Sequence, residues 1–233
     1  MGNSDYFDFE DKNVDFPFYN QKSLFDKNSL LIILSTIFIF TFLIFGPIKF
    51  QGSQQQIIMF LITLIPLLML TKCNLGYFFK KLTVDDLRLI ILSYIGYMVY
   101  YLIVYFLLQA IAYPTTSSTI YFNDMNFLTL LVYLLQVIAE EIFRIFVFLV
   151  LMYFTYNYTK NRKKSIIIST IFMFAVFALL HVNTYNYNIL QILLFQGLGS
   201  IFEYAGYLKT KNLAIPILVH MLINIAGWMQ FLI

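Results

Sequence analysis

Seven ionisable or strongly polar side chains stand inside apolar stretches of the C-terminal half: Glu140, Glu141, Arg144, His181, Glu203, His220 and Asn224. Together they offer a carboxylate base, imidazoles to relay a proton and N–H donors for a developing oxyanion, which are the parts that water-mediated hydrolysis requires. His181 and His220 are the only two histidines of the chain. His220 and Asn224 are four residues apart, so a helix stacks them on one face and both can donate to a single oxygen. Phe177 and His181 share that spacing, which sets an aromatic wall beside the imidazole. Glu140 and Glu141 diverge by about 100° around a helix axis, so only one can point at a given partner, and Arg144 is within reach of either. Two close carboxylates in low dielectric do not both ionise unless a cation offsets one of them. Ideal helix geometry aligns Arg144 with Glu140 more closely than with Glu141, at about 40° against about 60°.

The surroundings make these groups costly. An ionisable side chain in hydrocarbon costs from about 2.5 to more than 10 kcal/mol, so it faces a protein interior or a wet cavity and marks a functional site by default. Of the 233 residues, 61% are hydrophobic and 12% charged, with a mean hydropathy of +0.78. That composition describes a polytopic membrane protein, all-α, and the net charge of +3 is too small and scattered to suggest nucleic-acid binding. Spans of about 20 apolar residues fall at roughly 29–46, 55–71, 86–112, 126–158, 165–182, 189–208 and 213–233, giving about seven, with Pro66 as an expected kink in the second. With the N-terminus inside, thirteen of the 15 Lys and Arg residues lie on the cytoplasmic side, Lys49 lies outside and Arg144 lies in the membrane. The C-terminus is then outside, and the localisation is the cell membrane.

Three segments follow: a cytoplasmic tail over residues 1–28, N-terminal membrane helices over 29–125, and a membrane core over 126–233 that holds the polar set. The tail lacks the basic start and cleavage site of a signal peptide, and its Phe7, Phe9, Phe16 and Phe18 are expected on the membrane surface. Cys73, the single cysteine, reads as a buried or interfacial inert thiol. Glu203 is expected to play a structural part, reaching interfacial water near Lys209 and Lys211, and Gly197, Gly199, Ala205 and Gly206 read as close helix packing.

The stretches AEEIFR (139–144), FALLH (177–181) and GYLKTKNLAIPILVHMLIN (206–224) resemble, in order and spacing, the three motifs of the CPBP family, the CAAX proteases and bacteriocin-processing enzymes also called Abi proteins. The resemblance implies an intramembrane glutamic endopeptidase with no metal or other cofactor, and makes 126–233 its catalytic membrane core. Glu140 would activate a water with help from His181, His220 and Asn224 would form an oxyanion hole, and the arginine would align with the second glutamate, Glu141. One departure stands out: Arg144 comes three residues after Glu141, where the family usually has four. Ideal helix geometry thus gives Arg144 to Glu140, and the resemblance gives it to Glu141.

The implied substrate is a membrane-associated protein or peptide precursor, processed at a CAAX-type terminus, a leader or a signal peptide. Three other readings use the same residues. A zinc-dependent membrane protease would draw on both histidines, a glutamate and an asparagine, without an HExxH motif or a third imidazole. A non-catalytic membrane regulator or peptide-immunity protein has no use for buried ionisable groups, and a transporter would use the carboxylates as a proton relay. Depth poses a difficulty for every reading. Along straight helices of about 1.5 Å per residue, Glu140 and His181 lie much further from the basic loops than His220 does, so the fourth and fifth spans are expected to project into the cytoplasm as a hairpin.

Overall fold

The apolar runs become helices at close to their expected limits. A computed structural model describes residues 10, 13–19, 26–48, 50, 53–116 and 127–229. Its helices are α1 (Lys27–Phe45), α2 (Gln54–Thr71), α3 (Val84–Ala110), α4 (Phe127–Thr159), α5 (Arg162–Leu179), α6 (Ile189–Ile192), α7 (Ser200–Thr210) and α8 (Ala214–Met229), with a π-helical segment, Leu193–Leu198, joining α6 to α7. No strand occurs among the described residues. Local chemistry sets several starts. Asp26 accepts the Ser29 N–H at 2.7 Å, Asn161 accepts that of Lys164 at 3.0 Å, and Thr83 and Asp86 close a reciprocal capping box on α3. α2 continues through Pro66.

Among the described residues, four helices are long and apolar enough to cross a membrane: Lys27–Phe45, Gln54–Thr71, Val84–Ala110 and Ile189–Thr210 taken as one element. The apolar part of α8 is shorter, α5 opens on three cations, and α4 carries three charges in its middle. Length and composition alone therefore carry four spans, not the expected seven.

α4 is the axis of the fold. Every residue from 139 to 150 is buried, because α1, α2, α5 and α8 pack around it while α3 lies against α7 and α8. The outer helices instead expose large apolar side chains, Phe38, Leu92 and Phe106 among them, as a face turned to hydrocarbon does. α7 and α8 approach closely at Gly206, where an added Cβ would lie 2.5 Å from Cγ2 of Ile215. Gly206→Ala is expected to lose about 1–3 kcal/mol of stability by overpacking, with partial recovery in Gly206→Ala/Ile215→Ala. Thermal unfolding in detergent reads both.

One expectation fails here. Phe16 and Phe18 do not lie on a membrane surface but are buried, 1% and 2% exposed. Phe16 packs on Phe148 at 5.2 Å and Tyr207 at 5.8 Å between ring centres, and beside it Glu10 pairs with Arg162 at 2.7 Å and Lys211 at 3.5 Å. The physical reason is that the basic loops supply partners for the acidic tail, so its aromatics follow into the core. Of the two placements expected for Cys73, the buried one is excluded: the thiol is exposed in the turn after α2. Phe7, Phe9 and Lys49 lie outside the described residues.

The tail contacts also place three basic connections at one end of the bundle. Arg162 and Lys211 meet at Glu10, and the Lys80 ammonium donates to the Thr210 carbonyl at 2.8 Å.

Candidate active site

α4 presents Glu140, Glu141 and Arg144 on successive faces of a helix that is buried all round, so each needs a partner from a neighbouring element. Arg144 is fully buried. Its Nη2 donates to Glu141 Oε1 and to Glu203 Oε2, Nη1 donates to Ser200 Oγ at 3.1 Å, and the guanidinium lies 4.0 Å over the Phe177 ring. The arginine therefore takes Glu141 despite the shorter three-residue spacing. A second carboxylate on α7 fixes the side chain's direction, and that pull outweighs the helix-surface alignment with Glu140.

Glu140 is left to a different set of partners. Gln136, one turn earlier on α4, donates to its Oε1 at 2.7 Å, and its Oε2 lies 3.8 Å from His220 Nε2. The His220 Nδ1 donates to Glu141 Oε1 at 2.7 Å, which leaves Nε2 as the ring nitrogen nearer Glu140. His181 sits in the turn that follows α5, and its Nδ1 lies 3.0 Å from the Phe177 carbonyl. A carbonyl only accepts, so Nδ1 carries the proton and Nε2 is free for other chemistry. Phe177 meets His181 at 4.8 Å and His220 at 6.3 Å between ring centres. Its ring is thus as much a platform for the charged groups as a wall for a ligand.

Glu140, His181, His220 and Asn224 all line one cavity of about 710 Å³. Phe177 and Glu203 border it as well. Glu203 does not reach interfacial water beside Lys209 and Lys211, as the sequence suggested. It is buried on the side of α7 that faces Arg144, while Lys211 turns the other way and donates to the Leu208 carbonyl at 2.6 Å. Sequence reasoning also passed over Gln136 and Ser200. Gln136 carried a signal, since an amide four residues before Glu140 in an apolar run faces the same way.

Among the described residues, Glu141, Glu203 and His220 hold ligand atoms within 4.8 Å of one another. Arg144 Nη2 contacts all three, reaching His220 Nδ1 at 3.1 Å. The guanidinium already supplies the position and the positive charge that an ion would bring to this cluster.

Residues 122–226 match the family model described as type II CAAX prenyl endopeptidase, Rce1-like. Over this part the chain is similar to that protease family, in keeping with the CPBP motifs read from the sequence. No curated protein and no solved structure matches the chain.

Proposed function

We propose that the protein is an intramembrane glutamic endopeptidase, hydrolysing a peptide bond in a membrane-associated protein or peptide precursor, with Glu140 as the base. The observation that carries this reading is the division of the carboxylates: Arg144 engages Glu141 and Glu203, and Glu140 faces the cavity between His220 and Gln136. Glu140 removes a proton from water, assisted by Nε2 of His181, as the oxygen attacks the scissile carbonyl carbon. The C–N bond then breaks as that proton passes to the leaving nitrogen, and the second water proton follows it, so that an ammonium and a carboxylate depart. His220 and Asn224 serve as donors to the intermediate oxyanion. With Nδ1 committed to Glu141, His220 can donate from Nε2 only as an imidazolium. Two carboxylates against one guanidinium leave one negative charge in the cluster, which that imidazolium cancels.

Mass spectrometry of peptides released by cells with and without the protein identifies substrates, and the purified protein in liposomes is expected to cleave them alone. Chelators should leave turnover unchanged. Loss of turnover on metal stripping with recovery on adding zinc would instead establish a zinc hydrolase.

The match to a CAAX-protease family model, the long apolar helices and the clustering of Arg162, Lys211 and Lys80 at one end support a multi-pass protein of the cell membrane with that end in the cytoplasm. In a Cys73→Ser background, Lys164→Cys and Lys209→Cys should react with an impermeant thiol reagent only from the cytoplasmic side, and Asn183→Cys only from outside. The inverse pattern overturns the orientation.

A further inference from the structure

At the basic end of the bundle the acidic tail is held much as a separate peptide would be. Arg162 donates from Nη1 to Asp15 at 2.7 Å and from Nε and Nη2 to Glu10 at 3.2 and 2.7 Å. Its guanidinium lies 5.4 Å over the Phe16 ring and 5.3 Å over Tyr19, and the Lys211 ammonium lies 4.6 Å over Phe16. The Tyr19 N–H closes a turn on the Phe16 carbonyl at 3.2 Å, with Phe18 at a φ of 66°. That turn sends its two phenylalanines to different pockets: Phe16 to Phe148 and Tyr207, and Phe18 to Tyr77 and Phe78, at 5.8 and 5.6 Å between ring centres. Buried aromatic anchors beside charge pairs are where peptide and protein recognition concentrates its energy.

The two pockets adjoin the elements that carry the charge cluster. Phe148 is four residues after Arg144 on α4, and Tyr207 is four after Glu203 on α7, so Phe16 touches each helix one turn from the Arg144–Glu203 pair. Side chains join these helices: Arg144 to Glu203, and Phe148 to Tyr204 and Tyr207 at 5.4 and 6.5 Å between ring centres. Phe16 thus closes the seam that the Arg144–Glu203 pair spans. Lys211 caps α7 in the turn that leads into α8 and His220, and Glu10 and Phe16 hold that turn through its ammonium. Phe78, on which Phe18 packs, accepts the Leu213 N–H of the same turn at 2.7 Å. Neither Glu10 nor any of residues 13–19 lines the catalytic cavity. Arg162 and Asp15 keep 25% and 30% of their side chains exposed, so water and salt reach the outer ion pair.

We propose that Glu10 and residues 13–19 form a detachable strap. The cleft between Arg162, Lys211, Phe78, Phe148 and Tyr207 recognises an acidic and aromatic segment, the chain's own tail fills it in cis, and its seating keeps the Arg144–Glu203 pair and the α7–α8 turn in place. Such a strap sets turnover without touching substrate. Its effect on turnover rests on the endopeptidase reading, whereas recognition of the segment and its coupling to Glu203 do not and are measured separately.

The probe is a fluorescein-labelled peptide of residues 10–19, EDKNVDFPFY, added to the full chain in detergent micelles and followed by anisotropy. In wild type the attached segment competes at a high effective concentration, so the peptide should bind about tenfold or more weakly than it binds Glu10→Gln/Phe16→Ala. That variant is expected to melt about 5 °C lower and to lose about tenfold in kcat with KM nearly unchanged. Saturating peptide should restore both Tm and kcat, and the same peptide with Phe16→Ala should restore neither. If the double variant does not fold, Phe16→Leu, which keeps an apolar side chain but no ring for Arg162 and Lys211, takes its place with the same pattern at smaller size. Melting of Phe16→Ala, Glu203→Gln and their combination should show losses that do not add, the mark of coupled residues. Equal peptide binding by wild type and variant, no recovery on adding peptide, additive melting losses, or an unchanged kcat each overturns the proposal. Peptide binding with recovered Tm and non-additive losses, in a protein that cleaves no substrate even as wild type, retains the strap and refutes the endopeptidase reading.

Discussion

Glu140→Gln is expected to lose essentially all turnover, on the order of a thousandfold or more, since a general base contributes about 10² to 10⁴ and an amide cannot accept the proton. Fold should survive the change, because Gln136 can still hydrogen-bond to the new carbonyl and the cavity around it is already polar. Glu141→Gln should behave in the opposite way. Its Oε1 is the shared acceptor of Arg144 and His220, so the amide weakens a buried ionic cluster and unsettles the imidazole. Stability falls and residual turnover remains. The two variants, assayed on one substrate with melting measured in the same detergent, separate a group that acts on water from one that positions its neighbours. Full activity in Glu140→Gln with none in Glu141→Gln would reverse the assignment.

That assignment shows where sequence reading stops. Helix limits were legible because apolar runs are local, although the start of α3 at Val84, which the Thr83–Asp86 capping box sets, was read two residues late. The set Glu140, His181, His220 and Asn224 was legible as well, since a polar group in a hydrophobic run must share an interior with others. Which glutamate Arg144 would take was not. Ideal helix geometry favoured Glu140, and the outcome depends on Glu203 and Ser200, which reach Arg144 from 59 and 56 residues away. Glu203 was misread for the same reason, because nearby Lys209 and Lys211 offered a local partner while the real one lay on another helix. The burial of Phe16 depends likewise on Arg162 and Lys211, charges that sequence order keeps far from the tail. Long-range charge pairing, rather than periodicity, decided each of these cases.

The largest effect on stability is expected at Arg144. Arg144→Met keeps much of the side-chain volume and its packing on Phe177, yet it leaves two buried carboxylates, Glu141 and Glu203, with only the His220 imidazolium to offset them. Breaking one side of a buried ion pair costs about 3–5 kcal/mol, a large share of the usual total, and for a chain of this size it corresponds to a fall in Tm of about 10 °C. Arg144→Lys should lie between, because one ammonium cannot serve Glu141, Glu203 and Ser200 with the geometry of a guanidinium fork. The decisive variant removes the charges together. Arg144→Met/Glu141→Gln/Glu203→Gln carries no uncompensated ion, so its melting should return most of the way to wild type even though His220 has lost its carboxylate and turnover remains low. Recovery of Tm without recovery of activity distinguishes a missing counter-charge from a missing contact, since lost packing would persist in the triple variant. A melt for Arg144→Met within about 2 °C of wild type would show that the two carboxylates do not depend on the guanidinium, and the separation of Glu140 from Glu141 would lose its physical basis.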